Sequence, residues 1–373
     1  MIEADAVVVG AGPAGAAFAL NLAPLRNVLV VDRRVVPAAR IGESLAPAAR
    51  RLLGDMALWD AFLAEGHEPH HGGRSVWGGP RPVEADGLRD LDGPGWHLDR
   101  GKFDHWLRAI ATARGAALLV PASLGAVAKE EGFWHLDLDF AGRRVPVRAR
   151  LLVDAGGRGS PLLRRFGVRR VAQDRLVCGW LHGTDARARQ AGLTDIEAEA
   201  DGWWYSASLP GGRRVVAFHT DADLPAAGCA CDRDGLLRRL SGLGFLAERL
   251  ASGGFVADAE AGFCAAHSAA LTEPADADWL AIGDAALSFD PLSSQGLFNA
   301  LYTGLAAAEA ADRYLGGEAG ALGAYGASVR SIGAAYRAHL AEWYGLERRW
   351  ADRPFWQRRL KQKTLQPASE PSV

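Results

Sequence analysis

A glycine-rich turn that directly follows an apolar segment constrains this chain more than any other feature. Residues 7–9 are valines, and Gly10, Gly12 and Gly15 follow them with the spacing G-x-G-x-x-G. The valines predict a buried strand. In such a unit the first glycine turns the chain, the second leaves room for a pyrophosphate, and the third lets a helix pack closely on the sheet. Pro13 suits the first turn of that helix, whose N-terminus attracts anions. The segment therefore predicts a strand–turn–helix unit that binds a dinucleotide.

A second apolar segment leads to a carboxylate. Residues 28–31 predict the next strand, and Asp32 follows it in the region where such units bind ribose hydroxyls. A carboxylate there repels a 2′-phosphate, so we expect this site not to bind NADP. The alternative is a glycine-rich turn without a ligand. The order strand, glycines, helix and acid favours nucleotide binding.

Composition argues against several classes of function. The net charge of −2 gives no reason to expect nucleic acid. The chain contains no apolar run of membrane-spanning length and begins without the basic region of a signal peptide, so we expect a cytoplasmic protein that does not bind membranes. The cysteines lack the spacing of a zinc site, and we expect no metal. They are Cys178, Cys229, Cys231 and Cys264.

A second nucleotide-binding signal lies near the other end of the chain. Residues 279–282 predict a buried strand that ends in Gly283 and Asp284, and a loop then leads to a long helix near Ser294. Asp284 is placed to bind a ribityl hydroxyl, and the positive end of the helix would favour negative charge on a reduced flavin. The alternative is an ordinary strand–loop–helix with an aspartate cap. The pairing with the N-terminal glycines favours a flavin.

These two signals flank a middle region rich in predicted strands, which indicates a discontinuous cofactor domain. We predict an FAD-binding domain of residues 1–75, 95–170 and 271–315, a substrate domain of 76–94 and 171–270, a helical segment of 316–363 and a disordered tail of 364–373. The helices predicted from apolar spacing include 47–64, a segment near 232–251, 294–313 and 319–348.

Two further segments carry a family resemblance. Residues 151–160 read LLVDAGGRGS, and residues 95–104 read GWHLDRGKFD. With the two glycine motifs they resemble FAD-dependent enzymes of the p-hydroxybenzoate-hydroxylase fold, in the branch of flavin-dependent halogenases and related monooxygenases. The resemblance implies an α/β fold in which a Rossmann-like FAD-binding domain carries an inserted sheet-rich substrate domain and C-terminal helices. It also implies FAD contacts from the glycine loop, Asp32, Arg100 and Asp284; an ion pair with Asp104 is the alternative for Arg100.

A closer resemblance rests on GESLAPAARRLL at 42–53, HEPHHG at 67–72, SVWG at 75–78 and GWHLDR at 95–100. These segments are similar to the LodB-type flavoproteins, which hydroxylate a tryptophan of a partner protein during maturation of cysteine tryptophylquinone. The residues predicted to bind FAD are Gly10, Gly12, Pro13, Ala14, Gly15, Asp32, Arg33, Glu43, Ser44, Arg100, Asp154, Gly157, Gly283, Asp284, Pro291, Gln295, Gly296 and Leu297.

The resemblance leaves three functions open: a monooxygenase acting on tryptophan, a halogenase or reductase acting on a small molecule, and a flavoprotein chaperone without catalysis. Halogenases of this fold carry a Trp-x-Trp-x-Ile-Pro segment and a lysine that captures hypohalous acid. This chain has GWWYSASLP at 202–210 and no lysine before Lys102 or between Lys129 and Lys361. Hydroxylation requires fewer specific residues, because reduced FAD and oxygen themselves form an electrophilic hydroperoxide. The sequence therefore favours a monooxygenase.

Candidate catalytic residues are Glu43, Ser44, His97 and Asp290, with structural roles as the alternative for each. Tryptophans of the middle region are candidates for an indole pocket, with core packing as the alternative; they are Trp77, Trp96, Trp203 and Trp204. Residues 241–247 contain glycines but follow a predicted helix, so the chain lacks a second motif for NAD(P)H. We therefore expect NAD(P)H to dock transiently or a separate flavin reductase to supply electrons, with molecular oxygen as co-substrate and a tryptophan-bearing protein or peptide as partner.

Overall fold

The computed structural model describes residues 1–36, 40–86, 90–186 and 192–364. The chain divides into two compact units. Unit 1 comprises residues 1–64, 99–173 and 268–333, and unit 2 comprises residues 65–98, 174–267 and 334–373. The predicted boundaries differ from this division. Residues 65–75 belong to unit 2. The predicted helical segment is divided after residue 333, so that residues 316–333 belong to unit 1 and the residues that follow belong to unit 2.

The strands of the described residues are, in chain order, β1 (Ile2–Val9), β2 (Val28–Val31), β3 (Ser44–Leu45), β4 (Glu68–His70), β5 (Gly72–Val76), β6 (Val83–Asp86), β7 (Gly95–His97), β8 (Ala117–Leu119), β9 (Ala122–Glu130), β10 (Phe133–Phe140), β11 (Arg143–Asp154), β12 (Arg170–Ala172), β13 (Leu176–Thr184), β14 (Leu193–Glu199), β15 (Gly202–Leu209), β16 (Arg213–Asp221), β17 (Val256–Ala265), β18 (Ala269–Leu271), β19 (Ala275–Asp276), β20 (Trp279–Ala281) and β21 (Leu287–Ser288). The α-helices are α1 (Pro13–Leu22), α2 (Ala49–Asp55), α3 (Trp59–Ala64), α4 (Arg100–Ala113), α5 (Ala226–Ala230), α6 (Arg233–Leu240), α7 (Phe245–Gly253), α8 (Gly296–Leu315), α9 (Ala321–Leu346) and α10 (Pro354–Thr364).

Unit 1 is built on an eight-stranded sheet whose central strands are parallel. The order is β19-β20-β11-β1-β2-β8, and the antiparallel hairpin of β9 and β10 continues from β11. The strands β1 and β11 are parallel neighbours, as are β1 and β2. Val7 and Val8 are fully buried, as expected of a central parallel strand that is covered on both faces. The predicted α/β architecture is confirmed.

Helices α1 and α8 approach each other closely in unit 1, because small residues line their contact. A Cβ on Gly304 of α8 would lie 2.7 Å from the Ala14 carbonyl oxygen and 2.7 Å from Ala17 Cβ of α1. This contact fixes the N-terminal halves of both helices beside the end of the sheet from which β1 leads into α1.

Unit 2 is built on a seven-stranded sheet in the order β17-β13-β16-β15-β14-β5-β6. Most neighbours are antiparallel, and only the pair β14 and β5 is parallel among those described. Helices α5, α6 and α7 cover one face, where Leu181, Trp204 and Phe218 form a core with the buried leucines of the helices. The strands β4 and β7 form a separate antiparallel pair.

Several predicted helices are interrupted. The helix predicted over 47–64 consists of α2 and α3, because Ala57 between them has a φ of 55°. The helix predicted near 232–251 consists of α6 and α7, with Gly242 and Gly244 between them. The predicted tail, 364–373, lies outside the described residues except for Thr364, which ends α10. Within the described part of the chain, no helix combines the length and apolar character needed to cross a bilayer.

Candidate functional site

The three glycines after β1 have different structural roles. Gly10 has a φ of +117°, and a Cβ there would lie 2.3 Å from the Ala155 carbonyl oxygen. A Cβ on Gly15 would lie 2.0 Å from the Gly10 carbonyl oxygen, whereas a Cβ on Gly12 would meet nothing within 4 Å. Gly10 and Gly15 are therefore required by the fold of the turn. Gly12 instead faces open space at the N-terminus of α1, where the first N–H groups have no intrahelical acceptor.

Asp32 lies beside this turn at the end of β2. Its Oδ2 accepts a hydrogen bond of 2.7 Å from the Ala11 N–H, and its Oδ1 accepts one of 2.8 Å from the Arg34 N–H. Arg108 of α4 places Nη2 3.3 Å from Asp32 Oδ2, and its Nε donates a 2.6 Å hydrogen bond to the Ala11 carbonyl oxygen. The carboxylate is thus fixed in orientation while 18% of its side chain stays exposed. The following residue, Arg33, is exposed.

The loop after β11 forms the second wall of the turn. Ala155 N–H donates to the Val9 carbonyl oxygen at 2.9 Å, which joins the ends of β11 and β1. Asp154 accepts hydrogen bonds from Ser160 Oγ at 2.6 Å and from the Gly156 N–H at 3.0 Å. Burial raises the pKa of Asp154, and the hydrogen bond from Ser160 opposes that rise. Asp154 therefore shapes the loop that contains Gly157, and a direct contact of Asp154 with a ligand stays a prediction.

Gly283 places the loop after β20 against the N-terminus of α1. It has a φ of +55°, and its N–H donates a 2.9 Å hydrogen bond to Thr303 Oγ1 of α8. A Cβ on Gly283 would lie 2.8 Å from Ala14 Cβ. The two predicted nucleotide-binding segments therefore meet in unit 1, as their motifs indicate.

Two arginines orient the following residue, Asp284. Arg158 Nε lies 3.2 Å from Asp284 Oδ2, and the Asp284 side chain is 33% exposed. Arg170 donates to the backbone carbonyl oxygens of Asp284 at 2.9 Å and of Ala285 at 2.7 Å. Burial lowers the pKa of Arg170, and the charge of Asp284 opposes this. Asp284 is therefore a fixed and partly exposed carboxylate.

The N-terminus of α8 follows a sharp turn. Asp290 is 1% exposed and caps the short 3-10 helix Pro291–Ser293, accepting a 2.9 Å hydrogen bond from the Leu292 N–H. Ser294 then has a φ of 51°, and α8 begins at Gly296 after Gln295, slightly later than predicted. The first turn of α8 contains no acidic side chain, so no carboxylate of the helix itself neutralises its positive end. Leu297, in the same turn, is buried.

Arg100 is engaged within the protein. Its Nε donates to Asp104 Oδ1 at 3.2 Å, and its Nη1 donates to the Gly42 carbonyl oxygen at 2.9 Å. The ion pair considered as an alternative is therefore present, and contact of Arg100 with a flavin stays a prediction. Glu43 is 2% exposed and accepts a 2.8 Å hydrogen bond from the Gly42 N–H, while Ser44 begins β3. A catalytic role of these two residues and of Asp290 also stays a prediction.

His97 lies in unit 2 within a buried polar cluster. Its Nε2 and His70 Nε2 each lie 3.1 Å from Thr194 Oγ1. Burial lowers the pKa of His97 well below its ordinary value, and the nearby His70 and Arg214 lower it further. Burial likewise lowers the pKa of His70. Both rings are therefore neutral near pH 7. The Thr194 hydroxyl has a single proton and can donate it to only one of the two ring nitrogens, so at least one ring must carry its own proton on Nε2. Proton transfer by His97 stays a prediction.

The candidate pocket tryptophans have well-defined packing in unit 2. Trp203 is 1% exposed, stacks on His219 with ring centroids 3.8 Å apart, and donates a 3.0 Å hydrogen bond from Nε1 to Tyr344 Oη. Trp204 is fully buried in the core beneath the helices. Trp77 Nε1 donates to the Trp343 carbonyl oxygen at 2.9 Å, and Trp96 is half-buried on β7. Trp203 and Trp204 thus pack in the core, which was the alternative for them, and an indole pocket stays a prediction.

Sequence reasoning missed the arginines that orient the two carboxylates. Arg108, Arg158 and Arg170 lie far in sequence from the carboxylates that they contact. One signal was available for Arg108. It follows Asp104, which follows Arg100, at intervals of one helical turn, so the three share one face of α4.

The residues brought together in unit 1 fit FAD. Gly12 leaves open space against backbone N–H groups, as a pyrophosphate requires, and α8 offers a second helix N-terminus. Asp32 and Asp284 are oriented, partly exposed carboxylates of the kind that bind ribose and ribityl hydroxyls.

Comparison with known proteins agrees with this geometry. Residues 3–220 match the family described as FAD binding domain. The FAD-dependent oxidoreductase LodB of Marinomonas mediterranea is 30% identical over 380 residues, which cover 98% of this chain and 99% of that protein. Two solved structures are similar. The flavin-dependent halogenase CmlS has a TM-score of 0.85 at 24% identity, covering 96% of this chain and 68% of that one. The peptidyl tryptophan dihydroxylase QhpG, essential for tryptophylquinone cofactor biogenesis, has a TM-score of 0.74 at 26% identity, covering 96% and 78%.

Proposed function

Because this chain belongs to the FAD binding domain family and is an FAD-dependent oxidoreductase, we propose that it is a monooxygenase that hydroxylates a tryptophan side chain of a partner protein. The observation that carries the proposal is its likeness over nearly the whole chain to LodB and to the peptidyl tryptophan dihydroxylase. By this likeness, the reaction belongs to the maturation of a tryptophan-derived quinone cofactor.

The distribution of lysines supports hydroxylation over halogenation. The seven-stranded sheet of unit 2 contains no lysine, because none occurs between Lys129 and Lys361 or before Lys102. Lys129 forms an ion pair with Asp278, and its Nζ lies 5.9 Å from the Trp134 ring centroid. Lys102 follows Arg100 in the first turn of α4. Neither lysine is placed as the isolated ammonium that would capture a hypohalous acid.

In the proposed mechanism, unit 1 binds and orients the cofactor. The chemistry that FAD would supply is the reaction of its reduced form with molecular oxygen, which makes one oxygen atom electrophilic toward an electron-rich ring. The N–H groups around Gly12 would hold the pyrophosphate, while Asp32, fixed by Arg108, would bind the ribose. The N-terminus of α8 would stabilise negative charge on a reduced flavin, and Asp284, held by Arg158, would bind the ribityl chain.

Electrons come from outside the chain in this proposal. Residues 241–247 comprise the connection from α6 to α7 and the first residues of α7, so their glycines follow a helix and not the strand that a nucleotide-binding turn requires. NAD(P)H therefore either docks transiently or reduces a separate flavin reductase that serves this enzyme.

The experiment that tests the proposal measures the mass of the partner after turnover. The FAD-loaded chain is incubated with NADH or NADPH, a flavin reductase, oxygen and a candidate partner. A tryptophan-bearing quinone-enzyme precursor, if one is encoded beside this gene, is the first candidate to test. We expect the partner to gain the mass of one or two oxygen atoms on a single tryptophan. Replacing that tryptophan with phenylalanine should abolish the gain.

Other outcomes contradict the proposal in distinct ways. A gain of chlorine or bromine with added halide would identify a halogenase. Binding of the partner with no change in its mass, under conditions in which the flavin is reduced and reoxidised, would identify a chaperone. The G12A variant is the matched control, because its fold should persist while FAD binding is much weaker.

A further inference from the structure

Two cysteines that are distant in sequence face each other on adjacent strands of unit 2. Cys178 of β13 and Cys264 of β17 are direct partners in an antiparallel register. Ala266 N–H donates a 2.9 Å hydrogen bond to the Leu176 carbonyl oxygen, so the pair two positions along is hydrogen-bonded. The alternation of an antiparallel ladder makes Cys178 and Cys264 a hydrogen-bonded pair as well. Directly opposed residues project from the same face, so both thiols do so here.

The backbone spacing at this pair suits a disulfide. The Cα atoms of a hydrogen-bonded antiparallel pair lie about 5.5 Å apart, within the range of roughly 4.4–6.8 Å that disulfides adopt. All four cysteines lie in the described part of the chain, and each carries a thiol. Opposed Cβ atoms lie about 4.5–5.5 Å apart, with the longer spacing in hydrogen-bonded pairs, whereas a disulfide needs roughly 3.5–4.5 Å. A bond between these two would therefore need side-chain rotation and a small approach of the edge strand β17 toward β13, without any change of register.

The two thiols differ in their exposure. Cys178 is 1% exposed and has His219 as its neighbour across the sheet on β16. Cys264 is only half-buried, and it lies on β17, which is an edge strand of the seven-stranded sheet. An oxidant in solvent therefore reaches the Cys264 sulfur more easily, while the neighbouring Cys178 sulfur is buried.

We propose that Cys178 and Cys264 are a redox modification site that forms a reversible intramolecular disulfide. With hydrogen peroxide as oxidant, the Cys264 sulfur takes up one oxygen as a sulfenic acid and water leaves. The Cys178 sulfur then attacks the Cys264 sulfur, forming the S–S bond, and its proton leaves with the sulfenic hydroxyl as a second water. The two thiols lose two electrons in total, and the peroxide gains them. This site is independent of the proposed tryptophan hydroxylation.

The position of the bond explains why it should be reversible. The link would fix the edge strand β17 to β13 at a half-exposed position, and disulfides that are strained or exposed are the ones that thiols reduce readily. The neighbouring Trp180 ring covers Gly262 on the same face, since a Cβ there would lie 2.1 Å from Trp180 Cε2. The disulfide would therefore link the edge strand β17 to β13 beside the packed Trp180 ring.

The other two cysteines provide a control within the chain. Cys229 lies in α5, and Cys231 is the first residue after that helix, so one residue separates the two cysteines. Both are more exposed than Cys178. The test uses the double variant C229S/C231S, in which only the proposed pair remains. This double variant, folded and loaded with FAD, is treated with hydrogen peroxide, its remaining thiols are blocked, and its peptides are mapped by mass spectrometry without reduction.

We expect one linked peptide pair containing Cys178 and Cys264, loss of both reactive thiols, slower amide hydrogen exchange in β17, and full reversal by dithiothreitol. C264S in the same background should abolish the link while keeping the circular dichroism spectrum. Recovery of the two cysteines as separate thiols or sulfinic acids overturns the proposal. So does a link that joins two chains, or one that forms only in denaturant.

Discussion

Arg108 Nη2 lies 3.3 Å from Asp32 Oδ2, while Nε of the same guanidinium donates a 2.6 Å hydrogen bond to the Ala11 carbonyl oxygen. A third contact, from Nη1 to the Arg34 carbonyl oxygen at 2.8 Å, completes the set. One largely buried arginine of α4 therefore holds both the glycine turn and the carboxylate that follows β2. The geometry of the proposed ribose and pyrophosphate contacts depends on this side chain.

We expect R108Q to weaken FAD binding. A hydrogen bond to a charged group contributes about 1.5–3 kcal/mol, so loss of the contact with Asp32 corresponds to roughly a 10- to 100-fold rise in the dissociation constant. The measurement is quenching of flavin fluorescence on titration of the FAD-free protein. R108K should restore little, because a single ammonium does not reproduce the fork that reaches three acceptors.

The matched control for this experiment is Arg114, the residue that directly follows α4 as its C-cap. It donates to the Met56 carbonyl oxygen at 2.7 Å and lies away from Asp32. R114Q should lower thermal stability while leaving the dissociation constant for FAD near that of the wild type. Equal losses of affinity in R108Q and R114Q would mean that Arg108 acts through general stability.

Gly12 and Gly15 should separate ligand binding from folding. A Cβ on Gly12 meets nothing within 4 Å, so we expect FAD-free G12A to unfold within a degree or two of the wild type, yet to bind FAD much more weakly. A Cβ on Gly15 would lie 2.0 Å from the Gly10 carbonyl oxygen, so G15A should be insoluble or strongly destabilised without any ligand. Differential scanning fluorimetry with and without FAD distinguishes the two. A G12A protein that binds FAD normally would contradict the assignment.

Local sequence patterns predicted the family, the fold and the two segments that form the candidate FAD site. The family and the α/β fold are confirmed by the match to the FAD binding domain family and by the likeness to LodB. The glycine spacing and the runs of valine involve residues that are close together in the sequence, so these motifs can be recognised without a structure. The sequence also predicts that the segments containing Ala14 and Gly283 belong to one cofactor domain, because both carry nucleotide-binding signals, whereas the contact between these two residues is seen only in the structure.

The features that sequence did not reveal depend on contacts between distant residues. The arginines that orient Asp32 and Asp284, and the pairing of Cys178 with Cys264, require strand register and helix placement, which composition does not encode. The helix predicted over 47–64 is interrupted at Ala57, although alanine has a strong helix propensity. Ala57 is exposed, and the turn there is closed by hydrogen bonds from the Ala57 N–H to the Gly54 carbonyl oxygen and from the Leu58 N–H to the Leu53 carbonyl oxygen, a pattern that ends helices.

Substitution of Gly304 tests the contact between α1 and α8. A Cβ there would lie 2.7 Å from the Ala14 carbonyl oxygen and from Ala17 Cβ, so G304A should separate the helices and cost about 1–3 kcal/mol of unfolding free energy. Gly323 of α9 is the matched control, since a Cβ there meets nothing within 4 Å. G323A should instead stabilise the protein by about 0.5–1 kcal/mol through helix propensity. Urea unfolding measures both, and destabilisation by both would contradict the packing argument.

The buried histidines of unit 2 should make stability depend on pH. Burial lowers the pKa of His97 well below its ordinary value, so the folded protein keeps this ring neutral where the unfolded chain, with a pKa of about 6.5, takes up a proton. Stability due to this group is therefore complete above about pH 6.5 and falls as the pH drops toward the folded pKa. The slope approaches about 1.4 kcal/mol per pH unit for one proton. We expect urea unfolding of the wild type between pH 7.5 and 5.5 to show this loss.

H97Q should flatten the pH dependence while retaining an amide that can hydrogen-bond to Thr194 or Ser208, so its slope is informative even if its stability at pH 7.5 is lower. His70, whose pKa burial also lowers, contributes in the same direction and should leave part of the slope in H97Q. H105Q, at an exposed position of α4, is the matched control and should keep the wild-type slope. If H97Q and wild type lose stability in parallel as the pH falls, His97 is charged in the folded state and the cluster with Thr194 has been assigned the wrong protonation.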